Sequence, residues 1–258
     1  MKIILSDKKK KESFISLFQV LKNCSSLINC TFNTDLLHIQ GMDKSHICLF
    51  DVKLQKNWFE NYDVSESIQI CFDSNVFHSI ISTKSDNQDL IIRFDNDNAD
   101  LLHIHFSPQN AVKGEFNKFF KIPLAEYEYE ELHIPNVEYD AEFTLSSKQI
   151  SDIFSQLSNF GNDIIFKCSE EEISLTTIGI GGEMRVDIPI DDLSTYSIVE
   201  GEEIVLTYSL TYINKMCITN KLSTDIEFYI SNECPMKIHY NLGDDSSMIF
   251  YMAPKMND

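Results

Sequence analysis

Several groupings in the 258-residue sequence have residue types that could support chemistry. DNDNAD, from Asp95, opens like a calcium-binding loop, in which alternate oxygen donors surround the ion. Counted from Asp95, position 5 is Ala99, position 6 is Asp100 where the loop needs glycine, and position 12 is Phe106 in place of a bidentate Glu. A hairpin turn is the better reading. His103 and His105 share one strand face and could ligate a metal, but the local pattern supplies no third ligand. GIGG at 179–182 leads into a strand pattern, so it lacks the helix N-terminus that lets glycine loops hold phosphate. The carboxylates and seven His contain no pair with the spacing of a hydrolytic site. No catalytic residue, metal or cofactor is assigned; an enzyme of nucleotide metabolism is kept as the alternative from a different class.

The seven cysteines, at 24, 30, 48, 71, 168, 217 and 234, are odd in number, contain no C-x-x-C and mostly sit among apolar neighbours. That pattern predicts reduced core residues in an intracellular compartment.

Lysine is informative through its placement. The chain carries 21 Lys and Arg against 40 Asp and Glu, a formal charge of -19. Taken whole, that disfavours nucleic acid or an anionic membrane as a partner. Four segments with helical apolar spacing change the reading. Residues 7–22, 73–86, 146–160 and 207–222 hold nine Lys and five acids, a surplus of +4, which leaves -23 on the other 197 residues. Side by side on a sheet, such helices would present a weakly positive face rich in Ser, Asn, Gln and Lys. That face suits sequence-independent contact with phosphates; the simpler reading is a solvated helix face. Lys8 to Lys11 favour the first, because the macrodipole at a helix start disfavours each cation by roughly 0.3–1 kcal/mol, a cost easier to understand with an anion nearby.

The elements that position these residues recur four times as strand, helix and three strands. The first copy runs MKIILS, a helix with Phe14, Leu17, Phe18 and Leu21 on one face, then LINCTFN, DLLHIQ and HICLFDVKL. The second runs SIQICF, a helix with Val76, Phe77, Ile80 and Ile81, then DLIIRF, LLHIHF and FNKFFKI. The third has AEFTL, a helix with Ile150, Ile153, Phe154 and Leu157, then DIIFKC, EISLTTIG and EMRVDIPI. The fourth has EEIVLTY, a helix with Leu210, Ile213 and Cys217, then TDIEFYI, PMKIHYNL and MIFYMAP. Asp7, Asp73 or Ser74, Ser146 or Ser147, and Ser209 are residue types that cap helix N–H groups. Between copies two and three, residues 120–140 hold two Pro and Glu126, Glu128, Glu130 and Glu131, the marks of an extended connector. The expectation is an α+β chain of two pseudo-equivalent domains, 1–119 and 141–258. No apolar run approaches the roughly 18–20 residues that span a bilayer, so no membrane partner is expected.

QGMDKSHICL from Gln40, DNDNAD from Asp95, ELHIP at Glu131, LSNFGNDIIFKC from Leu157 and the terminal FYMAPKMND appear in collinear order along essentially the whole chain. Together they resemble the proliferating cell nuclear antigen family, the eukaryotic type of DNA sliding clamp. The resemblance implies the DNA-clamp fold in a homotrimeric ring, with helices lining the interior and antiparallel sheets outside. It implies double-stranded DNA, bound without sequence preference, as one partner. DNA polymerase, a clamp loader and other proteins with short Gln-containing, aromatic-ended motifs are the others. DNA contacts would fall to Lys9, Lys10, Lys11, Lys22, Lys84, Lys148, Lys215 and Lys221. The partner-peptide pocket would use Met42, His46, Ile47 and Leu49, then Leu132, Ile134 and Pro135, and finally Pro235, Tyr251, Ala253, Pro254 and Met256. Subunits would join through EFNKFFKI and GEMRVDIPI, with Phe116, Lys118 and Phe120 of one chain against Met184, Arg185 and Val186 of the next.

The departures from the family pattern are Asp152 and Ser155 on the third helix, where two arginines are expected, and Glu170 where a lysine carries a protein modifier. The resemblance places the protein in the nucleus, or in a viral replication compartment if virus-encoded. A checkpoint-type subunit of a heterotrimer is the nearer alternative; the FYMAPK tail favours the replication clamp.

Overall fold

The computed structural model describes residues 1–95, 100–126 and 131–255. The centre of the DNDNAD turn, Glu128, Glu130 and Met256 lie outside the described residues. Two compact units divide the chain, one of Met1–Gly41, Asp51–Leu132 and Leu242–Met248, the other of Met42–Phe50, His133–Asn241 and Ile249–Asp258.

The first half of the chain runs β1 (Lys2–Leu5), α1 (Lys8–Cys24), β2 (Leu27–Phe32), β3 (Leu36–Met42), β4 (Cys48–Gln55), β5 (Asn61–Asp63), β6 (Ile68–Asp73), α2 (Ser74–Ile81), β7 (Gln88–Phe94), β8 (Leu101–Pro108) and β9 (Lys118–Pro123). The second half continues with β10 (Ala141–Ser146), α3 (Ser147–Leu157), β11 (Asp163–Cys168), β12 (Glu172–Gly179), β13 (Gly182–Pro189), β14 (Thr195–Ile198), β15 (Ile204–Ser209), α4 (Leu210–Met216), β16 (Asp225–Ile230), β17 (Met236–Gly243) and β18 (Ser246–Met252).

The repeats interlock instead of folding separately. In the first unit β1 pairs with β7 of the next repeat and β2 with β6, so each repeat completes the other's sheet. The second unit repeats the scheme, with β10 on β16 and β11 on β15. Two short strands, β5 and β14, were not anticipated from sequence; they extend the same position by pairing with β1 and β10. Each of these pairings is antiparallel, as are β2–β3, β7–β8, β8–β9, β11–β12, β12–β13 and β16–β17.

Burial follows the apolar periodicity. Phe14, Leu17, Phe18 and Leu21 of α1 are buried, as are Ile150, Phe154 and Leu157 of α3. Phe14, Phe18, Phe72 and Phe77 form an aromatic cluster with ring centroids 4.5–6.3 Å apart. Phe154, Phe166 and Phe228 form its counterpart in the second unit. Such pairs contribute roughly 0.5–1.5 kcal/mol each beyond area burial.

Helix ends depart from the expected spans for local reasons. Asp7 caps α1 by accepting from Lys10 N at 2.9 Å, and Asp73 caps α2 by accepting from Asn75 and Val76. The serines before α3 and α4 make no side-chain cap bond. Helix α2 stops at Ile81, not 86, where the Ser82 hydroxyl donates to His78 O and the Thr83 hydroxyl to Ile80 O. Hydroxyls that bond preceding carbonyls offer the backbone an alternative to further helix. Lys84 therefore lies in the loop after α2, and α4 ends at Met216, short of the expected 222, which leaves Lys221 in a loop as well.

Candidate functional site

The second unit contains an open cavity of about 240 Å³. Met42, His46, Ile47 and Leu49 line it from the end of β3 and the start of β4. Ile134 and Pro135 come from the connector, Pro235 from the turn before β17, and Tyr251 and Ala253 from the end of the chain. His133, Val137, Tyr139 and Cys234 complete it, and sequence reasoning missed all four. The connector there has no regular periodicity to mark which side chains turn inward. Leu132 does not line the cavity: its N–H donates to Gln40 Oε1 at 2.7 Å and its carbonyl accepts from Gln40 Nε2 at 3.0 Å. Pro254 is half-buried beside Ala253 without lining it. Burial holds the Tyr139 phenol and the Cys234 thiol above their ordinary values, so both meet a ligand uncharged at neutral pH.

One buried carboxylate shapes the cavity's wall. Asp43 Oδ1 accepts from Ile47 N and Cys48 N at 2.7 Å each, and Oδ2 accepts from Ser45 N at 2.8 Å. Burial by itself would raise the Asp43 carboxyl. The N–H groups of Cys48, Ser45 and Ile47, with the Tyr212 hydroxyl, outweigh it and hold the group below the ordinary carboxylate range. The chain's end is fastened to the same loop, with Ala253 N donating to Ile47 O at 3.2 Å. This brings QGMD-SH and FYMAP, distant in sequence, onto one surface.

The eight lysines expected to meet phosphate separate into classes. Lys9, Lys148, Lys215 and Lys221 are exposed. Lys22 is half-buried, 3.1 Å from His78 Nδ1; burial, then the Lys22 charge, lowers His78, which favours the neutral ring as acceptor. Lys10 is committed to Asp244 at 2.7 Å. The Lys84 side chain is only 6% exposed and lies 3.2 Å from Asp86. Lys11 corrects the expectation: it is fully buried, and its Nζ donates to Gln88 O at 2.6 Å and Asp86 O at 3.1 Å. The sequence counted it as surface charge, but it holds the turn between α2 and β7.

Strands β9 and β13 end their sheets, in the orders β5-β1-β7-β8-β9 and β13-β12-β11-β15. Among the described residues each has one paired side. Phe120 of β9 and Met184 and Val186 of β13 are half-buried, while Phe119 is 73% exposed. Phe116 precedes β9 instead of joining it, because Gln88 Nε2 donates to its carbonyl at 2.9 Å and ties that backbone to β7.

Other sequence candidates have structural duties. His105 Nε2 lies 2.8 Å from Asn117 Oδ1, and its ring stacks on Phe119 at 4.3 Å. GIGG spans the β12–β13 turn, where a Cβ on Gly179 would fall 1.9 Å from Phe160 O, so close packing accounts for that glycine.

The family model for the N-terminal domain of proliferating cell nuclear antigen matches residues 8–128, and that for its C-terminal domain matches residues 133–255. The chain belongs to the proliferating cell nuclear antigen family. It is a DNA sliding clamp with the two-domain clamp fold, and the family's role is not enzymatic. A solved structure from Sulfolobus tokodaii, a PCNA2-PCNA3 complex, has the same fold, with a TM-score of 0.87, 21% identity and 99% of each chain covered.

Proposed function

We propose that three copies of this clamp join head to tail into a ring around duplex DNA, edge strand β9 of one copy adding to β13 of the next. The pair of open, oppositely charged edges carries this reading. Strand β9 bears Lys118 and Lys121 and no acid, whereas β13 bears Glu183 and Asp187 around Arg185. Beside β13 is an open cavity of about 430 Å³ whose lining includes Asp152, Asp187 and Asp192. Open edges invite indiscriminate pairing, and a closed ring of heterologous contacts removes them. Phe116, Phe120, Met184 and Val186 supply the apolar part of that contact, with Lys118 and Arg185 at its polar margin.

Lys9, Lys22, Lys148, Lys215 and Lys221 make sequence-independent phosphate contacts, as point charges compatible with sliding. The 240 Å³ cavity takes the Gln-containing, aromatic-ended segments of DNA polymerase, clamp loader and repair proteins. Its mostly apolar lining suits aliphatic and aromatic anchors. The clamp acts where DNA is copied, in the nucleus or a viral replication compartment. Assembly with related but non-identical chains is the second reading, motivated by the solved relative being a complex of two such proteins. Light scattering on a sizing column separates them. A homotrimer gives about three times the 29.8 kDa chain mass; a monomer at micromolar concentration excludes it.

A further inference from the structure

The segment from Met42 to Ile47 joins β3 to β4 and contributes Met42, His46 and Ile47 to the partner cavity. His46 sits at φ +56°, the left-handed region that a side chain with a β-carbon disfavours. Such a conformation persists only when its surroundings over-determine it. Asp43 provides part of that restraint through the three N–H groups it accepts. The rest comes from outside the loop. The hydroxyl of Tyr212, on α4, lies 3.2 Å from Asp43 Oδ2 and 3.0 Å from Ser45 Oγ. Cys48 Sγ and Met216 Sδ, 3.8 Å apart, bring the same helix against the far end of the loop. Lys215 Nζ lies 5.3 Å from the centroid of the Tyr212 ring.

We infer that Tyr212 is a positioning residue for the partner pocket: its hydroxyl orients the Asp43 carboxylate, which orients His46 and Ile47, and it ties the pocket wall to the helix that exposes Lys215. The inference rests on reading the cavity as a peptide site. A phenol donating to a carboxylate is a charge-assisted hydrogen bond, stronger than a neutral one. The carboxylate in turn holds the amides of Ser45, Ile47 and Cys48, of which Ile47 lines the cavity. Tyr212→Phe removes the hydroxyl while keeping the ring and its packing.

Two readouts on the full-length protein test this. Calorimetric titration uses a synthetic peptide bearing one Gln, one aliphatic and two aromatic anchors; Tyr212→Phe should weaken its binding about five- to tenfold. Amide hydrogen exchange at Ile47 and Cys48, both bonded to Asp43, should quicken in the variant, while Phe228 and Ile238 in β16 and β17 keep their wild-type rates. In an Asp43→Asn background Tyr212→Phe should produce little further loss, because Tyr212 acts on the loop through Asp43. Unchanged exchange at Ile47 and Cys48 would overturn the inference, as would equal acceleration at the control amides or additive losses. A wild-type protein that does not bind the peptide would remove the peptide reading alone, and the exchange pattern would then decide the role of Tyr212.

Discussion

Lys9 and Lys11 are two positions apart on α1, yet only Lys9 can meet an anion in solvent. Sequence reveals that a lysine is near a helix start; it does not reveal which side of the helix is covered. Here α1 buries Lys11, Ser13 and Ser16 along with its apolar stripe, so the covered face is wider than apolar periodicity indicated. Lys11→Met would leave the carbonyls of Asp86 and Gln88 without their donor and should destabilise the fold by about 1–3 kcal/mol, read as a lower urea midpoint. Lys9→Met should stay within about 0.5 kcal/mol of wild type. Equal midpoints for the two variants would mean that the buried ammonium has no structural role. The same limit explains the pocket. Met42, Ile134 and Tyr251 could be assigned from motifs with known family roles, whereas Tyr139 and Cys234 could be found only once the connector and the turn before β17 were placed in space.

Elements were more legible than residues. Among the described residues helical spacing located α1 to α4, and strand alternation located the three strands after each, because apolar periodicity is what packing acts upon. Helix ends were less legible, since Ser82 and Thr83 end α2 through side-chain bonds that spacing does not encode. Strands β5 and β14, three and four residues long, are too short for alternation to register. The edge strands carry the next prediction. Lys121→Glu on β9 should weaken self-association about tenfold, and mixing that chain with a Glu183→Lys chain should recover mixed assemblies, because charge complementarity sets which edge accepts which. Sedimentation velocity reads both. Unchanged association in either single variant would remove charge from the account of these edges.

For the whole molecule, the net charge of -19 is a poor guide to partners, because most of the acids lie outside the helical segments that hold the lysine surplus. Asp152 on α3, which looked like a missing DNA contact, lines the acidic cavity beside β13, where a neighbouring copy's basic edge would arrive in the proposed ring. A clamp that holds DNA by topology needs little direct affinity, so few free lysines suffice. The direct test uses linear duplex DNA and the purified protein. With both ends open the clamp should thread on, and blocking the ends afterwards should trap it there even in high salt, which screens ordinary phosphate contacts. Blocking both ends beforehand should prevent capture. Equal capture on open and pre-blocked DNA, lost in parallel as salt is raised, would contradict encirclement and leave simple electrostatic binding.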